Sequence, residues 1–350
     1  MEEIITFDKA LALSSHQVNR HVFLGNGFSR ACKNDIFSYD ALFDRANFAS
    51  LSPYAEIAFK ALGSTDFEYI IEALRTSANV LSIYKDSESD LCSILREDAD
   101  GLREVLVRTI AGSHPDLLSD ISDDSYKACK LFLANFKKIF TLNYDLLLYW
   151  AVMRQEIKPE IACDDGFRRP DSGVEQYVTW EIDHNFHQNI YYLHGALHFF
   201  DAGAELQKYT WSNTGIRLTD QIRVALREGK YPLFVAEGKS EDKLRRIKHN
   251  AYLTKAFDSF SRIGGALFVF GHSLARNDEH FLKLLEKGRV NQIFVSIFGD
   301  PDSATNKKII NRALLIAKFR ADLNATKRKK KDKVDLDVFF YDAQSAKVWG

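Results

Sequence analysis

Small and polar residues follow four short apolar runs of the sequence, and each of these groups could take part in chemistry. An apolar run that stops at glycine or at a polar residue is typical of a buried β-strand followed by a turn. The carboxyl ends of parallel strands meet at one edge of a sheet, where ligands bind. We therefore expect one cleft to be lined by Gly25–Ser29, Asn143–Asp145, His194–Gly195 and Gly271–Ser273.

The first of these groups could hold a phosphate. Gly25 and Gly27 lack side chains where a backbone would approach a pyrophosphate. Ser29 could donate to a phosphate oxygen or cap the following helix. Arg30 stands at the last glycine position of the Gly-x-Gly-x-x-Gly dinucleotide pattern, so the full pattern is absent. A plain glycine turn is the alternative interpretation.

The next two groups carry the candidate catalytic residues. Asn143 and Asp145 come just after the apolar run Lys138–Leu142. A cap on the next helix explains one of these two residues but not both. His194 ends another apolar run, and a neutral imidazole there suits a general base near neutral pH. A hydrogen-bonded structural histidine is the alternative.

In their order along the chain, these motifs resemble those of the sirtuins. Gly25–Ser29 resembles the sirtuin Gly-Ala-Gly-x-Ser loop, and Thr141–Asp145 resembles the Thr-x-Asn-x-Asp motif. Leu193–Gly195 resembles the sirtuin His-Gly, and Gly271–Leu274 resembles the Gly-x-Ser-Leu segment. The pattern Gly-x-Ser-x-x-x-x-Asp, which ends at Asp278, is similar to the sirtuin-like proteins of bacterial anti-phage defence.

The sequence departs from the sirtuin deacylases in two places. Their four-cysteine zinc module is missing, since no cysteine follows Cys163, and so is their Gly-Ile-Pro-Asp-Phe-Arg loop. The resemblance therefore implies an NAD hydrolase that cleaves the nicotinamide–ribose bond, with Asn143 and His194 carrying the reaction. It implies that NAD, the substrate, is held by Gly25, Asn26, Gly27, Phe28, Ser29, Asp145, Gly271, Ser273 and Asp278.

The activity of such a hydrolase is expected to depend on a trigger. Control by homo-oligomerisation or by a partner protein is the form of regulation that we expect. The alternative function is a non-catalytic sensor that binds NAD or ADP-ribose and signals by assembly.

The spacing of apolar residues predicts one α/β domain. Its Rossmann-like, mostly parallel sheet should carry helices on both faces. Helical spacing over residues 39–111 predicts a helical insertion. Further strands are predicted at Tyr231–Val235, at Gln292–Phe298 and, in a C-terminal tail, at Val338–Tyr341. The polar stretch Asp164–His187 is expected to be a loop over the site.

Composition indicates a cytoplasmic protein that binds neither nucleic acid nor membranes. Hydrophobic residues make up 46% of the chain, and the formal net charge is −1, so no overall field attracts a polyanion. The basic run Lys327–Lys331 is expected to be a solvated loop. No apolar run approaches the roughly 18 residues of a membrane span. The four cysteines form no Cys-x-x-Cys pair, and we expect no bound metal.

Overall fold

A parallel β-sheet forms the centre of the computed structural model, which describes residues 3–84, 90–170, 177–182, 187–203, 205–210, 215–236, 238–326, 329 and 333–350. Elements are numbered in chain order. Within the described residues, the seven strands of this sheet are, from edge to edge, β1 (Ile4–Ile5), β11 (Asp337–Asp342), β10 (Arg289–Ile297), β9 (Gly264–Phe270), β2 (Arg20–Leu24), β3 (Lys138–Thr141) and β6 (Ile190–Tyr192).

The strands β9, β2, β3 and β6 are consecutive neighbours, and all of them run parallel. This arrangement confirms the prediction that the candidate residues follow strands of one sheet. Leu24, the last residue of β2, lies opposite Thr141 of β3 and Phe270 of β9. The chain adds β3 and β6 on one side of β2 and then places β9 on the other side. The gap between β2 and β9 is therefore a topological switch point, where ligands bind in open α/β sheets.

Helices surround the sheet, and the predicted Rossmann-like α/β class is confirmed. The described helices are α1 (Phe7–Leu13), α2 (Gly27–Phe37), α3 (Tyr39–Arg45), α4 (Ala55–Leu62), α5 (Phe67–Tyr84), α6 (Asp90–Ser113), α7 (Asp123–Leu133), α8 (Leu147–Met153), α9 (Leu218–Arg227), α10 (Ser240–Lys248), α11 (Ala251–Ser261), α12 (Glu279–Lys287) and α13 (Ala304–Thr326). Four of them, α3 to α6, occupy the predicted helical insertion. That the whole chain forms a single domain stays a prediction.

The strand predicted at Val338–Tyr341 is confirmed as β11, which lies inside the sheet between β10 and β1. Another strand prediction needs correction. Tyr231–Val235 is not a strand of the sheet. Phe234 makes one isolated bridge with Gly195, and Pro232 has no N–H group to donate to a ladder.

A second, antiparallel sheet was not predicted. In spatial order its described strands are β4 (Phe167–Arg168), β5 (Tyr177–Trp180), β8 (Leu206–Tyr209) and β7 (Phe199–Asp201). The stretch Asp164–His187, expected to be a loop, contains β4 and β5, while its residues 171–176 and 183–186 lie outside the described part. Strands of two to four residues are too short to show a period of two in the sequence.

Two expectations about the surface of the chain can be followed only in part. Of the basic run Lys327–Lys331, only Lys329 lies among the described residues. Among the helices described above, none combines the length and the hydropathy needed to cross a membrane.

Candidate functional site

The turns that follow β2 and β9 touch each other at the switch point. The Gly25 N–H donates to the carbonyl of Phe270 over 2.9 Å, and the Gly27 N–H donates to that of Gly271 over 2.8 Å. A Cβ atom on Gly27 would lie 2.4 Å from the Cα atom of Gly271, whose φ is +68°. These glycines let two backbones meet, and their N–H groups are already used. This geometry fits the plain glycine turn, and contact between these residues and NAD stays a prediction.

Behind the first turn, three polar side chains form one hydrogen-bonded group, here called the Ser29 cluster: Ser29, Asn143 and Asp145. The Ser29 hydroxyl donates to Asp145 Oδ2 over 2.5 Å and accepts from Asn143 Nδ2 over 2.9 Å. Ser29 belongs to the first turn of α2, whereas the other two residues follow β3. The structure thus brings Ser29 together with two residues that lie more than 110 positions further along the chain.

Asp145 also holds the start of α8. Its Oδ1 atom accepts from the backbone N–H of Leu147 over 2.9 Å. Burial raises the pKa of Asp145 above its ordinary value, while the hydrogen bonds from Ser29 and Leu147 act in the opposite direction. Asp145 therefore both caps a helix and fixes Ser29, and through Ser29 it orients Asn143.

His194 lies in a second group, here called the Asp278 cluster: Glu68, His194, Lys243, His272, Asp278 and His280. Asp278 accepts from Lys243 Nζ over 3.0 Å at Oδ1 and from His272 Nε2 over 3.0 Å at Oδ2. The Nε2 atom of His194 is 3.6 Å from Asp278 Oδ1. The backbone N–H of Leu274 donates to His272 Nδ1, so His272 carries its proton on Nε2 and donates it to Asp278.

Lys243 is a fully buried cation between two carboxylates. Its Nζ atom donates to Glu68 Oε2 over 2.7 Å as well as to Asp278. Burial by itself lowers the pKa of Lys243, yet Asp278 and Glu68 hold it above its ordinary value. Burial opposes the ionisation of Asp278, but Lys243 and His272 keep its pKa well below the usual range. Burial and the Lys243 charge lower the pKa of His194, so its imidazole is neutral.

Tyr144 connects the two clusters. Its ring lies nearly parallel to that of His194, with 6.3 Å between the centroids, and its hydroxyl is 2.9 Å from Glu68 Oε1 and 2.7 Å from the Val235 carbonyl oxygen. The structure places Tyr144 beside His194, between the strand ends and the helical insertion.

The site side chains lie beneath the protein surface. Asn143 is 9% exposed, Asp145 6%, His194 2%, and Ser29 is fully buried. A polar group buried to this degree needs partners. The Ser29 cluster supplies them for Ser29, Asn143 and Asp145, whereas His194 Nε2 has no hydrogen-bond partner among the described residues.

Comparison with known proteins gives the chain a family. The family described as a domain of unknown function, DUF4917, matches residues 22–349. The chain belongs to the DUF4917 family. No curated protein matches it. A solved structure described as "Structural Basis for the Mechanism and Regulation of Sir2 Enzymes" is 12% identical, with a TM-score of 0.32 over 91% of this chain and 98% of that one. A likeness of that size carries no argument about function.

Not every residue predicted for the site of this DUF4917 chain faces it. Phe28 is buried in the core against Trp349, whose Nε1 atom donates to the Phe28 carbonyl. Asn26 Nδ2 donates to the carbonyl of Phe37 at the end of α2. Ser273 is exposed to solvent. Asp278, expected to contact NAD, is instead paired with Lys243 and His272 in this structure.

Three residues of the Asp278 cluster in the DUF4917 chain, Glu68, Lys243 and His280, were missed by the sequence analysis. Lys243 could have been found from helix phase, because Ser240, Lys243 and Ile247 share the buried face of α10. Glu68 lies in the first turn of α5, where an acidic residue is common, and Asp66 caps this helix by accepting from the Glu68 N–H. His280 gave no signal beyond its closeness to Asp278, whereas His272 lies within the range Gly271–Ser273 that was expected to line the cleft.

Proposed function

We propose that this DUF4917 chain hydrolyses NAD at the nicotinamide–ribose bond, releasing nicotinamide and ADP-ribose. The observation that carries the proposal is the Ser29 cluster, which lies at the carboxyl ends of the neighbouring strands β2 and β3. His194 follows the end of β6, the next strand of the sheet. The motif resemblance to the sirtuin-like proteins of anti-phage defence supports the same reaction.

Asn143 places the attacking water in this proposal. Nicotinamide leaves a ribose with oxocarbenium-like charge, so the enzyme mainly orients the ribose and the nucleophile. Asn143 Nδ2 is held by Ser29, which leaves the amide Oδ1 to accept from a water beneath the anomeric carbon. Since Asp145 fixes Ser29, the amide is held in one orientation before NAD arrives.

His194 takes the proton that the water loses. Its Nε2 atom has no hydrogen-bond partner among the described residues, and in the tautomer that carries the proton on Nδ1 the Nε2 lone pair accepts the proton from water. Asp278 Oδ1, 3.6 Å from Nε2, stabilises the imidazolium that forms. The balance of the step is simple: the ribose–nicotinamide bond breaks, a ribose–oxygen bond forms, and His194 carries the proton to solvent.

The burial of the site supports control by a trigger. Glu68, from α5 of the helical insertion, reaches Lys243 and Tyr144 above His194. We propose that movement of this contact admits NAD, and that a partner protein or self-assembly of the chain drives it. NAD depletion in the cytoplasm, as a defence response, is the corresponding biological role.

The experiment compares NAD levels in phage-challenged bacterial cells that express the wild-type chain or a variant. We expect the wild type to deplete NAD and release nicotinamide, whereas Asn143→Ala and His194→Ala lose activity by about 100- to 10,000-fold, the usual range for such groups. The matched control is Asn47→Ala at an exposed asparagine, which should deplete NAD like the wild type. Thermal melting of each purified variant checks its fold.

Retention of near wild-type NAD cleavage by Asn143→Ala would show that the catalytic centre is misassigned. If the purified wild type binds NAD but no condition leads to its consumption, the chain is the non-catalytic NAD or ADP-ribose sensor instead.

A further inference from the structure

Three side chains of the Asp278 cluster present ligand atoms to a common point. One ligand atom each of His194, Asp278 and His280 lies within 4.8 Å of the other two. The three residues come from the end of β6 and from the start of α12, and all are buried. Two imidazoles and one carboxylate form a donor set that zinc and other divalent transition-metal ions bind in proteins.

A second observation points to a missing ligand at the same place. The Nε2 atoms of His194 and His280 are buried, and neither has a hydrogen-bond partner in the described part of the chain. His194 is 2% exposed and His280 is 4% exposed. Buried polar atoms almost always have a partner, so two unpartnered imidazole nitrogens in one cluster, on rings with centroids 5.9 Å apart, point to a ligand of these side chains.

The residues behind the three side chains are arranged as outer-shell partners of a metal site. His280 Nδ1 lies 3.0 Å from the Ser240 hydroxyl oxygen, which accepts from the ring when Nδ1 carries the proton and so leaves the lone pair on Nε2. Asp278 Oδ2 accepts from His272 Nε2, while Oδ1 accepts from Lys243 Nζ over 3.0 Å and lies 3.6 Å from His194 Nε2. Such contacts orient metal ligands and fix the tautomer of a ligating histidine.

The charges nearby also allow a cation. Lys243 is positive, and Glu68 and Asp278 are negative, so with neutral imidazoles the cluster carries a net charge of −1. When a metal ion takes Asp278 Oδ1, Lys243 keeps its hydrogen bond to Glu68 Oε2 at 2.7 Å. The lysine therefore does not become a buried charge without a partner.

We propose that His194, Asp278 and His280 bind one divalent transition-metal ion of the Zn²⁺ or Co²⁺ class, and that the bound ion blocks His194. The blockade rests on the proposed function, because it removes the lone pair that accepts a proton from water. The binding itself does not depend on that function. The sequence expectation of no metal considered cysteine pairs and locally spaced ligands, whereas this set joins segments more than 80 residues apart.

Binding is tested with the full-length, tag-free chain after treatment with a chelator. Calorimetry with Zn²⁺ and visible absorption of bound Co²⁺ should both show one saturable site per chain. His280→Gln should weaken binding at least about 100-fold, and Ser240→Ala, which keeps all three ligands, about 10- to 100-fold. His249→Gln, the same change at an exposed histidine, is the matched control and should bind like the wild type.

The outcomes separate the site from the reaction. No saturable binding by the wild type, or equal binding by His280→Gln, Ser240→Ala and the wild type, would overturn the proposal and leave a bridging water between the imidazoles. Asn143→Ala should lose NAD cleavage and still bind Co²⁺, so failure of the reaction leaves the metal test intact. Zn²⁺ should inhibit NAD cleavage by the wild type over the same concentration range in which it binds; metal binding without inhibition would refute the blockade.

Discussion

Gly27 and Gly271 approach each other so closely that neither position has room for a side chain. These two positions therefore require glycine, because any side chain would collide with the opposite backbone. Ser29, two residues later, works in the opposite way, because its hydroxyl holds both Asn143 and Asp145. Backbone approach at the switch point thus sets the position of the one hydroxyl on which the Ser29 cluster depends.

Gly27→Ala should destabilise the fold and not only weaken ligand binding. The new methyl group would meet the Gly271 Cα atom at 2.4 Å, where only backbone can give way. Overpacking of this kind costs typically about 1–3 kcal/mol of unfolding free energy. Urea unfolding followed by circular dichroism measures the change.

The control for this prediction is Gly112→Ala, at a helical glycine of α6 that has no atom within 4 Å of an added Cβ. That substitution should stabilise the protein by up to about 1 kcal/mol, because alanine is the better helix former. Equal unfolding midpoints for Gly27→Ala and the wild type would contradict the packing role.

The residues of the Ser29 cluster could be predicted from sequence because each follows an apolar run at the end of a strand. The Asp278 cluster could not be predicted as a unit. Lys243 lies in the charged helix α10 and reaches Glu68 across 175 positions of the chain, a contact that local patterns do not encode. Only the phase of α10, with Lys243 in line with Ile247, marks it as inward-facing.

At the scale of elements, α5 and α10 are joined by a buried ion pair. Gly238, just before α10, lies so close to α5 that a Cβ there would be 2.6 Å from the Glu72 Cα atom. The Glu68 to Lys243 contact is thus made between two closely packed segments. The helical insertion is in this way fixed directly to the cluster that contains His194.

Glu68→Gln should lower the free energy of unfolding by about 1–3 kcal/mol, the usual value of a hydrogen bond to a charged group. Lys243 keeps Asp278 in this variant but loses one of its two carboxylates. Denaturant titration at neutral pH gives the change. Glu56→Gln removes an exposed ion pair with Lys60 and should cost less than about 0.5 kcal/mol. Similar losses of unfolding free energy for Glu68→Gln and Glu56→Gln would show that the buried Glu68–Lys243 pair stabilises the fold no more than an exposed pair does.

His114 joins α6 to α8 and makes the fold sensitive to acid. Its Nε2 atom accepts from the Leu146 N–H, and burial lowers its pKa from 6.5 to about 4. The unfolded chain therefore binds the proton first, so stability is complete above about pH 6.5 and is lost as the pH falls toward 4. The loss from this residue should reach about 3 kcal/mol, at 1.36 kcal/mol per pKa unit.

Unfolding free energies of the wild type and His114→Gln, measured at several values between pH 7 and pH 4, test this prediction. The difference in unfolding free energy between the wild type and His114→Gln should become smaller as the pH falls, because glutamine does not titrate. His16→Gln, at an exposed histidine, should keep the wild-type slope. A difference in unfolding free energy that stays constant across this pH range would contradict the role of His114 in acid sensitivity.

For the whole molecule, the sequence sufficed where apolar runs end in glycine or polar residues. Those runs predicted that β9, β2, β3 and β6 share one parallel sheet, without giving the spatial order of these strands. The second sheet escaped because its strands are short, and Tyr231–Val235 misled because a buried apolar run without pairing looks like a strand. In both segments, pairing with distant parts of the chain determines whether a strand forms, and local propensity does not.

The most direct test of the account is product analysis of NAD incubated with the triggered protein in water enriched in ¹⁸O. Mass spectrometry should find one nicotinamide for each ADP-ribose, with one ¹⁸O atom in the ADP-ribose, and Asn143→Ala should leave NAD intact. ADP-ribose without ¹⁸O, a cyclic product, or equal NAD consumption by Asn143→Ala and the wild type would contradict the account.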